Sequence, residues 1–398
     1  MALLHFLAGN NLDNRKRITL VSFLAYFVMS GMLAPIGIIS APMSEYFDLP
    51  ITELTANFSW LTVGILIGSV IALLVFDWIP LKRLVAGLYT LLAACLVSFS
   101  LHDNINLVWP ALGLVGICCG IGLAGASLTI SRTYELDRRA SMLVITDGSF
   151  SAAGIVCSWV AVLLVARGFH WSGAYQFVAL VATTIVLLTV FSTFPTTMVD
   201  TRTVRSRKPW PMSVWLCVVA LFLYTLGQYS MLWWLPNYAE TQLDAPRDQA
   251  GQLVSQFWTG MFVAQIFVAW WVLKVGVRRL VLIAGIGSSV SSIPLWLYGD
   301  IDGLIILATL WGFANMGLLK IVLSFATQMI QVPTARLIST LLLGGSIGTA
   351  VSPWVTSQIV AATNNHFILQ FSTACYVLLT ILLVTAIRLN KAATSTPD

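Results

Sequence analysis

Twelve apolar stretches, each near 20 residues long, follow one another along this sequence, and they limit what it can fold into more than any motif does. They cover residues 18–40, 54–76, 84–101, 107–130, 140–166, 174–194, 213–236, 249–273, 280–298, 303–327, 337–361 and 367–388. About 20 residues at 1.5 Å each match a hydrocarbon core ~30 Å thick, and a helix satisfies its own backbone polar groups there. Composition agrees: 58% of the 398 residues are hydrophobic and 9% charged, where soluble domains have about 25% charged residues. Mean hydropathy is +0.88. The expected fold class is an all-α integral membrane protein with twelve transmembrane helices. The first nine residues are apolar but too short to span, and their charges follow them, so they do not read as a secretory signal.

Basic residues orient the spans. Arg15, Lys16 and Arg17 precede the first, and Lys82, Arg83, Arg132, Arg138 and Arg139 fall in alternate loops. Arg202, Arg205, Arg207, Lys208, Lys274, Arg278, Arg279, Arg336, Arg388 and Lys391 continue the pattern. Arg167 and Arg247 fall on the other side, with acids such as Glu45, Glu240 and Asp244, and Lys320 lies within a span. Positive charge marks the cytoplasmic side, so both termini and the loop 195–212 are expected there.

The chain also repeats at about half its length. Asn57 to Trp60 resembles Ser255 to Trp258, Lys82 and Arg83 return as Arg278 and Arg279, Arg139 as Arg336, and Gly148 as Gly345. The plan is then a cytoplasmic N-terminus 1–17, a six-helix bundle 18–194, a cytoplasmic linker 195–212, a second bundle 213–388 and a tail 389–398. Two parallel six-span halves suit a carrier that rocks one bundle against the other around a midplane site. A channel or scaffold has less reason for such a repeat.

Between Arg139 and Arg167 lies a single charge, Asp147. It stands eight residues past Arg139, roughly 12 Å into the membrane. An ionised carboxylate at that depth costs on the order of 2.5–3.5 kcal/mol, so it faces a polar cavity, finds a cationic partner or stays protonated. Asp147 is the expected proton-coupling residue; a structural acid held by neighbouring hydroxyls is the plainer alternative.

Taken together, these features resemble the major facilitator superfamily, on the branch of the fucose permease type of sugar/proton symporters. The residues that carry the resemblance are Ser22 and Tyr26 in the first span, Glu45 to Phe47 with Leu49 and Pro50 after it, Gly64 to Ile67, and the loop Asp77 to Lys82. Tyr134 with Glu135, Thr146 with Asp147, Gly227 with Gln228, Trp234, Pro236, Tyr238 and Val332 with Pro333 extend it over essentially the whole chain. The resemblance implies alternating access, with spans 1, 4, 7 and 10 lining a central cavity and spans 2, 5, 8 and 11 forming the seam between the halves. It names no substrate.

On that plan the loop after span 2 forms a cytoplasmic gate of Asp77, Lys82 and Arg83, with Glu135 and Arg139 opposite. Asp77 would cap a helix or pair with an arginine; Pro80 replaces the glycine of the superfamily's signature, and simple charge anchoring is the alternative. Lys320 has three readings: an ion pair with Asp147, a cation for an anionic substrate group, or a side chain snorkelling to the surface. Tyr26, Tyr224, Gln228, Tyr229 and Asn315, with Lys320, form the expected substrate cavity, although such residues also bond one helix to another. Pro35 with Gly37, and Pro236, are expected to interrupt spans 1 and 7.

Other strings weigh against an enzyme. Gly344-Gly-Ser-Ile-Gly348 and Gly120 to Gly125 imitate a nucleophile elbow and a dinucleotide loop, but both sit inside spans with no strand before them. The six cysteines lack metal spacing and the four histidines are scattered, so no cofactor and no metal are expected. The functional expectation is a secondary transporter of the bacterial inner membrane, monomeric, moving a small polar organic solute with protons as partners and no nucleic acid. A proton-antiport exporter is the first rival; a transport-dead sensor or scaffold is the second.

Overall fold

The computed structural model describes residues 2–101, 104–195, 210–330 and 335–395. Most of the linker 195–212, with its four basic residues, lies outside them, as do His102, Asp103, Val332 and Pro333. The side chains of Asp77 and Arg139 are likewise outside the description, although both residues sit in helices.

Among the described residues sixteen helices follow in order: α1 Ala2–Leu33, α2 Ile36–Phe47, α3 Ile51–Asn57, α4 Ser59–Trp78, α5 Leu81–Ser98, α6 Ile105–Thr133, α7 Leu136–Ala166 and α8 Gly173–Val190 form the first series. The second comprises α9 Met212–Gln242, α10 Arg247–Val275, α11 Val277–Ser292, α12 Pro294–Leu297, α13 Ile301–Asn315, α14 Leu318–Thr327, α15 Ala335–Ala362 and α16 Asn365–Ser395. Among the described residues, eleven segments are long and apolar enough to cross a membrane. The 29-residue α10 occupies the remaining expected span, 249–273.

Packing divides the chain into two units. One comprises residues 1–43 and 60–200, the other residues 44–59 and 201–398. The segment 44–59, which joins span 1 to span 2 and includes the first residues of span 2, therefore belongs with the second unit, where α3 packs on α15. Within the first unit α1 lies against α6, α7 and α8; within the second, α9 lies between α15 and α16.

The closest helix approaches recur in both units. A Cβ on Gly116 would come within 2.2 Å of the Leu61 carbonyl oxygen, and one on Gly312 within 2.0 Å of the Phe257 carbonyl oxygen. These glycines stand 196 positions apart (312 − 116), in register with the sequence repeat. Backbone meets backbone there, the contact that small residues permit between membrane helices.

Helix interruptions follow the sequence only in part. Span 1 breaks where expected: α1 ends at Leu33 and α2 starts at Ile36, because Pro35 has no N–H to donate and its ring crowds the preceding turn. Span 7 does not break. Pro236 lies inside the continuous α9, whose surroundings hold it: Thr225 Oγ1 donates to the Gly345 carbonyl at 2.7 Å and Trp234 Nε1 to Thr356 Oγ1 at 3.0 Å. One lost backbone bond does not break a helix held before the proline by those two bonds and after it by Asn365 of α16, whose Nδ2 donates to Asn237 Oδ1.

Span 10, expected as one helix over 303–327, is two. Met316 (φ 49°, ψ 19°) and Gly317 (φ 65°, ψ 44°) are consecutive left-handed residues that separate α13 from α14. Glycine accepts that conformation freely, whereas a methionine pays roughly 1–2 kcal/mol for it.

Candidate functional site

The first unit places Asp147 twelfth in α7, half-buried. The turn around it is rich in hydroxyls. Thr146 Oγ1 donates to its own helix at the Met142 carbonyl (2.6 Å), and Ser149 Oγ reaches the Phe23 carbonyl of α1 at 3.1 Å. Ser149 ties span 5 to span 1 on one flank; Asp147, two residues earlier, lies about 200° around the helix from it and so on another flank. Tyr26, one turn along α1 from Phe23, bonds through its hydroxyl to Ser127 Oγ of α6 at 2.8 Å.

The residues expected at the cytoplasmic gate separate into two kinds. Lys82 Nζ donates to the Val190 carbonyl at 2.9 Å, so its charge sits on the C-terminal end of α8, where the last carbonyls are unpaired and the helix dipole is negative. Arg83 and Glu135 are exposed, and Glu135 precedes α7 without a side-chain capping bond. The same end of the unit holds contacts that spacing did not announce. Asn14 exchanges two hydrogen bonds with the Thr193 backbone, at 2.9 and 2.8 Å. Thr19 Oγ1 and the Tyr134 hydroxyl lie 2.8 Å apart, and the Arg15 guanidinium stands 4.1 Å from the Tyr134 ring centroid. Only the polar character of these residues beside a span end hinted at such pairings.

In the second unit the expected cavity residues differ sharply in what they do. Asn315 is fully buried; its Nδ2 donates to the Trp311 carbonyl at 2.8 Å and its Oδ1 accepts from the Tyr376 hydroxyl at 3.1 Å. It finishes α13 just before the break and binds span 10 to span 12. Tyr224 packs edge-on against Tyr376, ring centroids 6.4 Å apart. Lys320 is exposed, in the first turn of α14, three residues past the break, with its backbone N–H bonded to the Gly317 carbonyl at 2.9 Å.

Gln228 and Tyr229 are different again. They are 4% and 7% exposed, and neither forms a hydrogen bond with any described residue. The Tyr229 ring stacks on Trp233, centroids 5.1 Å apart and 30° between planes.

In the same unit, Arg247 joins Glu240 at the end of α9, Nε to Oε2 at 3.3 Å, and Glu45 at the end of α2. That bidentate grip on Glu45 holds its carboxyl below the ordinary value of 4.5, chiefly by hydrogen bonding from Arg247. Among the described residues no cluster of three or more His, Cys, Asp or Glu side chains is placed to hold a metal ion.

The sequence profile of the Major Facilitator Superfamily matches residues 18–246. The chain belongs to that superfamily. Two curated relatives of this facilitator, the TsgA homologues of Yersinia pestis (strain Pestoides F) and Yersinia pseudotuberculosis serotype O:3 (strain YPIII), are each 27% identical over 380 residues, 94% of this chain and 95% of theirs. Among solved structures, a variant of the nucleoside transporter NupG superposes with a TM-score of 0.73 at 12% identity, covering 94% of this chain and 99% of its own. A variant of the peptide transporter POT gives 0.74 at 15% identity and 95% coverage of both chains. At such identities the superpositions establish a shared facilitator fold. The protein is a multi-pass membrane transporter of this superfamily and not an enzyme.

Proposed function

We propose that this facilitator is a proton-coupled symporter of the bacterial inner membrane, monomeric and with both termini cytoplasmic, that moves a small polar organic solute by alternating access. The observation that carries the proposal is Asp147: a carboxyl group half-buried in the middle of a 31-residue membrane helix. An ionisable group inside a membrane helix is costly and marks a path for ions or protons. Binding a proton on one side and releasing it on the other links the pH gradient to whichever conformations expose it.

The solute side of the reading rests on the second unit, where buried polar groups outnumber charged ones along α9. Gln228 and Tyr229 are the proposed substrate-facing residues there, with Tyr26 and Tyr224 in supporting positions and Lys320 marking the inner end of the path. NupG is a nucleoside transporter and POT a peptide transporter by their names, and the reading of a polar organic solute draws support from them. Asp77, Arg83, Glu135 and Arg139 are proposed to close the cytoplasmic mouth, with Lys82 holding the end of α8.

The test is uptake of pooled small polar solutes into right-side-out vesicles under an imposed inward proton gradient. Accumulation that collapses with a protonophore supports symport. Solute that leaves the vesicles as protons enter would identify an exporter instead.

A further inference from the structure

Several polar side chains of α9 fasten it to neighbouring helices. Thr225 bonds to the Gly345 carbonyl, Ser230 to the Leu226 carbonyl and toward Ser352, Trp234 to Thr356, and Asn237 to Asn365. Each ties span 7 to span 11 or span 12. Gln228 and Tyr229 lie among them, more than nine-tenths buried, and bond to nothing described. Their side-chain nitrogen and oxygen atoms are not among the enclosed, unpartnered ones, a set that includes Ser30 Oγ and Tyr89 Oη; the polar tips open onto accessible space while the rest of each side chain is buried, and a ligand entering there gains hydrogen bonds that no helix supplies.

Their geometry limits what that ligand is. Consecutive residues lie about 100° apart around a helix, with Leu232, one turn beyond Gln228, on the face between them. The Tyr229 ring already stacks on Trp233, a platform that extends to a third flat ring. The Gln228 amide offers a donor beside an acceptor, which a lactam or carboxamide edge matches with two bonds in one plane, as amide side chains match the edge of adenine. A carboxylate would set two acceptors against one donor and bury its charge. A polyol would bring more hydroxyls than one amide and one phenol satisfy, and Leu226, Met231 and Leu232 alongside offer no side-chain hydrogen bonds.

We infer that Gln228, Tyr229 and Trp233 form a binding site for an uncharged planar ring bearing a lactam or carboxamide, with the ring stacked on Tyr229 and the amide edge paired to Gln228. This rests on the proposed reading of α9 as a substrate-facing span, and it names the class of solute.

The test is equilibrium binding of nicotinamide, uracil and nicotinate to the purified full-length protein in detergent, with Gln228→Leu, Tyr229→Phe and Lys320→Ala alongside and thermal unfolding of each variant as a check of folding. The expected result is binding of both neutral amides, with nicotinate about tenfold weaker or worse, since a site built around hydrogen bonds rejects ligands that leave it unpaired. Gln228→Leu and the milder Tyr229→Phe each weaken nicotinamide by about tenfold at an unfolding temperature no lower than that of the wild type. Failure of both amides to bind, equal binding by wild type and Tyr229→Phe, or tighter binding of nicotinate that needs Lys320 would each overturn the assignment. Transport is scored separately in vesicles. Nicotinamide that binds as described yet is not moved by a proton gradient sinks the symport reading and leaves the site; proton-driven uptake of another solute, indifferent to both α9 variants, does the reverse.

Discussion

Arg247 grips both carboxylate oxygens of Glu45 while its Nε reaches Glu240 at 3.3 Å. The first connection of the chain, leaving span 1, is thereby bound to the connection between spans 7 and 8. Glu45's carboxyl is lowered below 4.5, mainly by the hydrogen bond from Arg247. A depressed acid contributes stability that is complete above its ordinary value and is lost as pH falls through its folded-state value. Acidification below about pH 4.5 should therefore lower the unfolding temperature of the wild type more steeply than that of Glu45→Gln, with the two curves converging in acid. Scanning fluorimetry of both proteins from about pH 6 to about pH 3.5 checks this; parallel curves would contradict it. The effect will be small, because Glu45 is largely exposed to solvent and surface pairs are weak.

Asp147→Asn should leave the protein folded and able to exchange solute down its gradient, since the amide keeps the size and most of the hydrogen bonding of the acid. Proton-driven accumulation should fall to the level of equilibration. Vesicle counterflow measured beside uphill uptake separates the two activities, and full uphill transport by the Asn variant would refute the assignment.

Gly312→Ala should destabilise strongly, because the added carbon meets the Phe257 carbonyl at 2.0 Å and α10 and α13 must move apart to admit it. Overpacking of this kind costs about 1–3 kcal/mol or more. Gly87→Ala is the control: nothing lies within 4 Å of its new methyl, and a helix interior gains up to about 1 kcal/mol from alanine. Comparison of unfolding temperatures in detergent should show the two variants moving in opposite directions.

Met316→Gly removes a side chain from a left-handed position (φ 49°) and should stabilise the break between α13 and α14 by up to about 1 kcal/mol, less the packing lost with the buried thioether. Gly317→Ala, at φ 65°, should cost a similar amount. Denaturant or thermal midpoints of the two variants test the sign of each.

The sequence by itself determined the class of molecule, the number and placing of its spans, and the twofold repeat, because the length and apolarity of a membrane helix are set by a solvent that every residue meets alike. It also marked the break at Pro35, since a missing N–H is a local property. Tertiary structure decided the rest. Pro236 leaves α9 whole because α15 and α16 brace it, while Met316 and Gly317 break span 10 with no proline present. Asn315, Gln228 and Tyr229 read alike as polar residues in cavity-facing spans, yet Asn315 is consumed by Trp311 and Tyr376 and the other two bond to none of the described residues. Whether a buried polar group is spent on packing or kept for a ligand depends on which partners the other helices bring within about 3 Å, and no single stretch of sequence contains that distance.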